Sequence, residues 1–442
     1  MSLEPFYRLS RYVVATTRGD DERGGVLVFS TRSCRTFLLS AEYWSYLTSG
    51  DCTRLPPNVA QSLVEARVLV EGSASELDDV LRENVEAIAA TSTLEQVIQP
   101  TAACQLGCHY CGQQHSPHRI TPDMEEQIVA RVRRRLDARR YDRLNVGWFG
   151  GEPLLGLASL RRLSPALQRL SREAGADYSA HIVTNGLLLT PEVARELEGA
   201  HRVGHIEVTL DGPRRVHDSR RMTKAGRGSY DRILRNLRGI LDDDRVAAEI
   251  TLRCNVDSSN AAAVPELVHE LGELGFARRF RLYFSPVYDW GNSAGDASLS
   301  PESFAAEELG WLGMMYHYGF DIALRPKRKK ITCIAVLPRA RVIDAFGDEY
   351  NCTEVPYVPQ YRQSHLLLAG GEPTEQAPPP RYRDWNERIG RGDVPCTACR
   401  MLPMCGGACP KAWSEGAVPC PSFKHNLGSR LVLSLLPARG GE

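Results

Sequence analysis

The sequence predicts an α/β protein: a partial (β/α)6 barrel with a small α+β unit in front and a cysteine-rich unit behind. Three observations lead there. From about residue 93, strand-like and helix-like runs alternate, the pattern of a parallel sheet covered by helices. Unusual turns then close several successive strands at the same end. Finally, ten of the 13 cysteines fall into two groups, Cys104/Cys108/Cys111 and Cys333/Cys352/Cys396/Cys399/Cys405/Cys409/Cys420.

Length and charge set the frame. At 442 residues the chain exceeds one ordinary core, so two or three domains are expected. Lys+Arg and Asp+Glu are both 54, a balance that argues against a general nucleic-acid or membrane-surface binder. No continuous apolar run is long enough to span a bilayer. The opening MSLEPFYRLSRYVV lacks the apolar core of a signal peptide. A cytoplasmic location is expected, where clustered cysteines read as metal ligands or catalytic groups. Cys34, Cys52 and Cys254 read as packing residues.

Residues 1–92 are expected to form the front unit. Arg11–Thr17 and Gly25–Ser30 are β-rich and joined by the turn-like stretch 19–24. Thr36–Leu39 is a third strand. Ser40 caps a helix over Ala41–Leu47 that Gly50 ends. A second helix runs from Pro56-Pro57 to about Ala66, Val68–Val70 is a short strand, and Ser73–Ala90 is an acidic amphipathic helix and linker.

Residues 93–325 carry the barrel. Strands are expected at Glu95–Thr101, Asn145–Phe149, Tyr178–Thr184, Val203–Leu210, Ala247–Asn255 and Arg279–Phe284. Helices are expected at Pro122–Arg140, Leu157–Ala174, Pro191–Glu198, Tyr230–Leu241 and Ala261–Leu274. Active groups belong at the C-terminal strand ends. There lie Cys104–Cys111, Gly150-Gly151-Glu152-Pro153, Thr184-Asn185-Gly186 and Asp211-Gly212-Pro213. Residues 285–300, with Tyr288 and Trp290, read as a loop over the barrel mouth, and a helix follows over about Pro301–Tyr318. The basic run 325–330 reads either as a solvated face or as a receiver of an acidic peptide.

Residues 326–428 hold the cysteine-dense unit and 429–442 a tail. Val342–Tyr350 reads as a hairpin turning near Gly347, which brings Cys333 and Cys352 together. Residues 370–381 are a Pro-rich loop.

Three cysteines at C-x3-C-x2-C spacing on one loop can hold three irons of a cubane and leave the fourth open. A zinc knuckle completed by His109 or His115 is the competing reading. With Tyr110 before the last cysteine, the loop resembles the radical S-adenosylmethionine superfamily. That resemblance makes Cys104, Cys108 and Cys111 ligands of a catalytic [4Fe–4S] cluster and implies a TIM-like barrel. The open iron would chelate S-adenosylmethionine, whose cleavage releases a 5′-deoxyadenosyl radical. Gly150, Gly151, Glu152 and Pro153 resemble the family's GGEP turn, with Glu152 placed for the methionine ammonium. Thr209 and Arg221 would contact the ribose or carboxylate side, and Tyr110, Asn185 and Asn255 are further cofactor candidates.

The seven later cysteines resemble a SPASM domain, which implies two auxiliary [4Fe–4S] clusters and three in all. Cys333, Cys352 and Cys409 would hold the first, and Cys396, Cys399, Cys405 and Cys420 the second. Many relatives carry an eighth cysteine between the first two. None occurs between Cys333 and Cys352 here, so Asp344, Asp348 and Glu349 are candidate donors. In anaerobic sulfatase-maturing enzymes an aspartate follows the second cysteine of this domain and acts as a base. Thr353 stands there in this chain, with Glu354 next, which argues against sulfatase maturation.

The front unit resembles the winged-helix, PqqD-like recognition element that binds a peptide by strand addition. Together these features imply a maturase that cross-links a ribosomally made precursor peptide (thioether, carbon–carbon or ether). The expected partners are a leader-bearing precursor and an electron donor such as flavodoxin or ferredoxin. Alternatives are a peptide epimerase using Cys254 as hydrogen donor, a protein or sulfatase-type maturase, and a zinc-binding peptide adaptor.

Overall fold

The computed structural model describes residues 7–17, 25–289, 294–366 and 381–437. The turn expected at 19–24, Trp290 and nearly all of the Pro-rich loop at 370–381 lie outside the described residues.

A front group of elements comprises β1 (Tyr7–Leu9), β2 (Val13–Thr17), β3 (Val26–Ser30), β4 (Thr36–Leu39), α1 (Ala41–Ser49), α2 (Pro57–Glu65), β5 (Leu69–Glu71) and α3 (Glu76–Ala89). Strands β2, β3 and β4 form an antiparallel meander, while β1 pairs with β5. Ser40 caps α1 by accepting from the Tyr43 N–H, and Gly50 closes it in the left-handed region at φ 80°, where a Cβ would be strained.

The barrel strands are β6 (Thr93–Ile98), β7 (Arg143–Trp148), β8 (Asp177–Thr184), β9 (Val203–Thr209), β10 (Glu249–Val256) and β11 (Phe280–Pro286). They pair in parallel, each with the next. Helices α4 (Pro122–Ala138), α5 (Leu157–Glu173), α6 (Pro191–Gly199), α7 (Arg214–Arg220), α8 (Tyr230–Leu241) and α9 (Val264–Glu273) lie between them, and α10 (Pro301–Tyr318) follows. Helices α4, α6 and α10 start alike: a hydroxyl of Thr121, Thr190 or Ser300 accepts the backbone N–H three residues on, and proline follows it. Such a cap satisfies one orphan donor, and proline at the first helical position lacks an N–H that would need one. Both faces of the strands are covered, so Trp148, Ile182, Ile206, Leu252 and Phe280 are buried in one core.

The last group contains β12 (Arg341–Ile343), β13 (Asp348–Tyr350), β14 (Ser364–His365), α11 (Trp385–Arg391), α12 (Leu402–Cys405), α13 (Pro410–Ser414) and α14 (Phe423–Leu433). The expected hairpin is present as β12–β13, with Gly347 at φ 86°. Strand β12 also pairs in parallel with β6, so the hairpin continues the barrel sheet in the order β11-β10-β9-β8-β7-β6-β12-β13-β14.

The front group is packed onto the last. Val14, Leu27 and Phe29 share a core with Met401, Met404, Leu427 and Leu431. Arg328, from the basic run, donates to Asn84 Oδ1 at 2.9 Å and to the Pro403 carbonyl at 2.6 Å. It also pairs with Glu83 at 3.3 Å. That cation ties α3 to the cysteine-rich unit.

Candidate active site

Strand β6 runs into the cysteine loop, which is closed at its base. The Ala102 N–H donates to the His118 carbonyl, and the Ser116 N–H returns to the Ala102 carbonyl. The tip is pinned where the Gly107 N–H donates to the Met222 carbonyl and the Lys224 N–H to the Gln105 carbonyl, both at 2.9 Å. The turn after β7 abuts the loop: the Glu152 N–H donates to the Ala103 carbonyl at 2.8 Å. A Cβ added to Gly151 would lie 2.4 Å from that carbonyl oxygen, and Gly150 has φ +123°. Only glycines permit this approach.

Cys104, Cys108 and Cys111 line one cavity of about 340 Å3 together with Tyr110, Gly150, Gly151, Asn185, Thr209, Arg221, Arg253 and Asn255. Burial pushes the Cys104 thiol up to about 12 and raises those of Cys108 and Cys111, while the Arg221 cation opposes the rise at all three. The Asn185 side-chain amide donates to Cys104 Sγ at 3.8 Å. His115 lies 3.7 Å from Cys111 Sγ, whereas His109 faces Asp257 at 3.7 Å.

Glu152 is fully buried and engaged by the protein. Its carboxylate accepts from the Thr184 hydroxyl at 2.7 Å, the Asn185 N–H at 2.7 Å and the Leu154 N–H at 3.0 Å. It braces the ends of β7 and β8 against each other.

A polar knot covers the opposite wall. Tyr110 donates to the Asp211 carboxylate and accepts from the Arg221 guanidinium. The Asn255 amide reaches the same hydroxyl at 3.2 Å. Arg220 pairs with Asp257 at 2.7 Å and lies 5.2 Å from the Tyr110 ring centre. His217 Nδ1 accepts from the Asp211 N–H at 3.2 Å, and Nε2 lies 3.0 Å from the Ser229 hydroxyl. Burial and the two adjacent arginines hold His217 well below the usual histidine range. Arg221 lines the cavity, yet its Nε has no hydrogen-bond partner among the described residues.

Residues 98–252 match the Radical SAM superfamily profile. This stretch is a Radical SAM superfamily domain. A serine-type anaerobic sulfatase-maturating enzyme of Klebsiella aerogenes is 27% identical over 173 residues, 38% of this chain and 42% of that protein. The alignments with the first curated relatives thus span only about two fifths of those proteins. Among solved structures, native anSMEcpe with bound AdoMet superposes with a TM-score of 0.58 at 17% identity, over 77% of this chain and 99% of that one. Streptococcus suis SuiB bound to precursor peptide SuiA gives 0.50 at 13% identity, over 94% and 98%. At these identities the structures establish a shared fold.

The residues at this site fit a cluster and S-adenosylmethionine: three half-buried thiols line one cavity together with Gly150, Gly151 and Arg221. Among the described residues no group of three His, Cys, Asp or Glu side chains closes on a single metal ion. A zinc ion would draw its sulfurs to about 2.3 Å from one centre.

The later cysteines sort by mutual electrostatics. Cys409 acts on Cys333, and both of them act on Cys352. Cys396 and Cys405 act with Cys399 and Cys420. Cys409 lines the active cavity and also a neighbouring one of about 410 Å3 that holds Cys333 and Cys405. Ser285, Pro286 and Tyr288 line both. Of the acidic candidates, Asp344 accepts the Phe346 and Asp348 N–H groups in the hairpin turn. Glu349 pairs with Arg131 at 3.4 Å and Asp348 with Arg362 at 3.3 Å.

Sequence reasoning gave no role to Arg253, Glu207 or Tyr283, and left Glu354 without a direction. Glu354 lines the active cavity, and its charge raises the thiols of Cys111, Cys352 and Cys409 beyond the dominant effect of burial. Arg253 lies 3.6 Å from Glu207, which accepts from the Tyr283 hydroxyl at 2.9 Å. Alternating residues of β9, β10 and β11 point into the barrel, and that period was the available signal. Cys254 is fully buried in the core and belongs to the opposite strand face.

Proposed function

We propose that this enzyme is a SPASM-type maturase that cross-links a ribosomally made precursor peptide. Cys104, Cys108 and Cys111 would hold the catalytic [4Fe–4S] cluster. Cys333, Cys352 and Cys409 would hold a first auxiliary cluster, and Cys396, Cys399, Cys405 and Cys420 a second. The bound cluster and S-adenosylmethionine supply a 5′-deoxyadenosyl radical, which abstracts a hydrogen atom. The observation that carries the reading is that Cys409 and Glu354 line the same cavity as the three-cysteine loop.

The chain's residues divide the remaining work. Gly150 and Gly151 admit the cofactor backbone-close, Arg221 and Thr209 take its ribose or carboxylate side, and Tyr110 fixes Arg221 against Asp211. Cross-linking removes two hydrogens from the peptide, one as an atom and one as a proton with an electron left over. Glu354 is placed to accept the proton. In the front group, among the described residues, β4 pairs with β3 alone and carries Leu38, 56% exposed. A leader segment can add there as a strand. A flavodoxin or ferredoxin would supply reducing electrons.

Two solved relatives carry peptides, SuiA on SuiB and Cp18Cys on anSMEcpe, which supports a peptide substrate. The placement of Glu354 favours a second reading, a protein maturase related to the sulfatase-maturating relatives, because a carboxylate does reach the cavity although Thr353 follows Cys352. The burial of Cys254 weighs against epimerisation.

Anaerobic reconstitution should load about twelve irons with matching sulfide, three cubanes. Zinc without sulfide would overturn the reading. Incubation of reduced enzyme with S-adenosylmethionine and a candidate precursor should lower the peptide mass by about two units, the two hydrogens lost on cross-linking. Unchanged mass with deuterium uptake would indicate epimerisation.

A further inference from the structure

The two later cysteine sets meet different charges. The set of Cys333, Cys352 and Cys409 faces the Glu354 carboxylate, with Lys329 near Cys333 and Lys411 near Cys409. Lys411 is itself paired with Glu415 at 2.5 Å. In the other set, Lys424 Nζ donates directly to Cys420 Sγ at 3.3 Å. Among the described residues no carboxylate pairs with Lys424.

The helix does not explain this lysine. Lys424 is exposed and sits in the first turn of α14, which contains no acidic residue. A cation there opposes the helix dipole. The placement becomes favourable when the four-cysteine set carries negative charge, as it would when holding a cluster, because Lys424 already donates to Cys420 Sγ.

We propose that Lys424 raises the reduction potential of the cluster held by Cys396, Cys399, Cys405 and Cys420, making this the preferred resting place for an electron leaving the site. The inference rests on the auxiliary-cluster reading above. Reduction adds one negative charge to a cubane. A cation hydrogen-bonded to a ligand sulfur stabilises the reduced form more than the oxidised one, and hydrogen bonds to sulfur, net charge and exposure set such potentials. The four-cysteine set carries the donated bond, whereas the three-cysteine set has a carboxylate against Cys352. The bias therefore runs from the cavity side outward.

The test uses the full-length chain with Cys104, Cys108 and Cys111 replaced by alanine, so that only auxiliary signals remain. Iron and sulfide are counted after anaerobic reconstitution, and midpoint potentials are read by redox titration with electron paramagnetic resonance. Lys424→Met should lower one of two midpoints by about a tenfold change in the reduced-to-oxidised ratio, or about 59 mV for one electron. Lys424→Arg should keep the wild-type value, and Lys424→Glu should fall below Met. The second midpoint should not move. If the Met and Glu variants hold both clusters with unshifted midpoints, the role of Lys424 is refuted. If the parent chain binds iron for only one auxiliary cluster, the underlying reading falls and this inference falls with it.

Discussion

Replacing Gly151 by alanine tests how the cysteine loop is seated. The new Cβ would stand 2.4 Å from the Ala103 carbonyl oxygen, 2.8 Å from its carbon and 2.9 Å from the Ala102 oxygen. Carbon–oxygen contacts settle near about 3.3–3.6 Å, so the loop and the turn must part by roughly 1 Å. Both partners are backbone, and no side-chain rotation relieves the contact. Overpacking of this kind costs about 1–3 kcal/mol. Loss of the Glu152 N–H to Ala103 bond adds about 0.5–1.5 kcal/mol. Reduced freedom of the unfolded chain returns about 0.4–1 kcal/mol. The net expectation is about 2–3 kcal/mol of destabilisation. The assay is urea unfolding of the apoprotein by circular dichroism, paired with iron bound per chain after anaerobic reconstitution. Gly199→Ala serves as control, because nothing lies within 4 Å of that Cβ and alanine favours a helix. A Gly151→Ala protein with the wild-type midpoint and full iron content would refute the seating argument.

Asp344 is buried, and burial raises its carboxyl from 3.8 to about 6. A raised folded value means stability is full below the unfolded pKa and is lost as pH rises from about 4 to 6, by about 2–3 kcal/mol. Asp344→Asn should flatten that limb, and denaturation midpoints at pH 5 and pH 8 that fall as steeply as in wild type would contradict it. His217 behaves oppositely. Its folded pKa is depressed, so stability is present above about 6.5 and falls by up to about 1.4 kcal/mol per pH unit below it. His217→Gln should unfold with a shallower acid limb in the same titration. Arg430 and Glu308 form a buried pair between α14 and α10, with Asn426 donating to Glu308 at 3.1 Å. Arg430→Leu alone should cost about 3–5 kcal/mol, and the Glu308→Leu/Arg430→Leu double variant should recover much of it, as read from a double-mutant cycle.

The sequence made the barrel legible because its elements carry local signals. Thr121-Pro122, Thr190-Pro191 and Ser300-Pro301 announce helix starts, and strands buried on both faces read as apolar runs. The short helix Arg214–Arg220 was missed: its polar, arginine-rich residues carry no apolar period, and its place is fixed by Arg220 and His217 reaching buried partners. The first three cysteines were legible together because their spacing confines them to one loop, whereas the division of the later seven came from the family resemblance. The actions of Glu152 and Glu354 were not, because each depends on a strand end brought in from elsewhere. Glu152 faces the Thr184 hydroxyl and Asn185 N–H of the next unit, and Glu354 arrives on a hairpin far along the chain. The front unit looked separable on domain-size grounds. Its β2–β3 face is apolar only because Met401, Met404, Leu427 and Leu431 cover it, a long-range contact with no local mark.

The pairing of β12 with β6 explains why the two ends of the site keep a fixed separation. Val342 is level with Val97 and Ile343 with Ile98, and the Gln99 N–H continues the ladder to the Ile343 carbonyl at 2.8 Å. Beyond β6 the chain enters the loop of Cys104, Cys108 and Cys111. Beyond β13, two residues after Tyr350, comes Cys352, with Glu354 following. One ladder therefore positions both the three-cysteine loop and the stretch of Cys352 and Glu354. A one-residue slip would exchange the two faces of β12, moving Val342 out of the core it shares with Val97 and Tyr350 and Ile343 out of the barrel core it shares with Ile98. The register is thus held by apolar burial, and the cavity shared by Cys111, Cys409 and Glu354 follows from it. The separation of the three-cysteine loop from Cys352 and Glu354 is set by strand pairing.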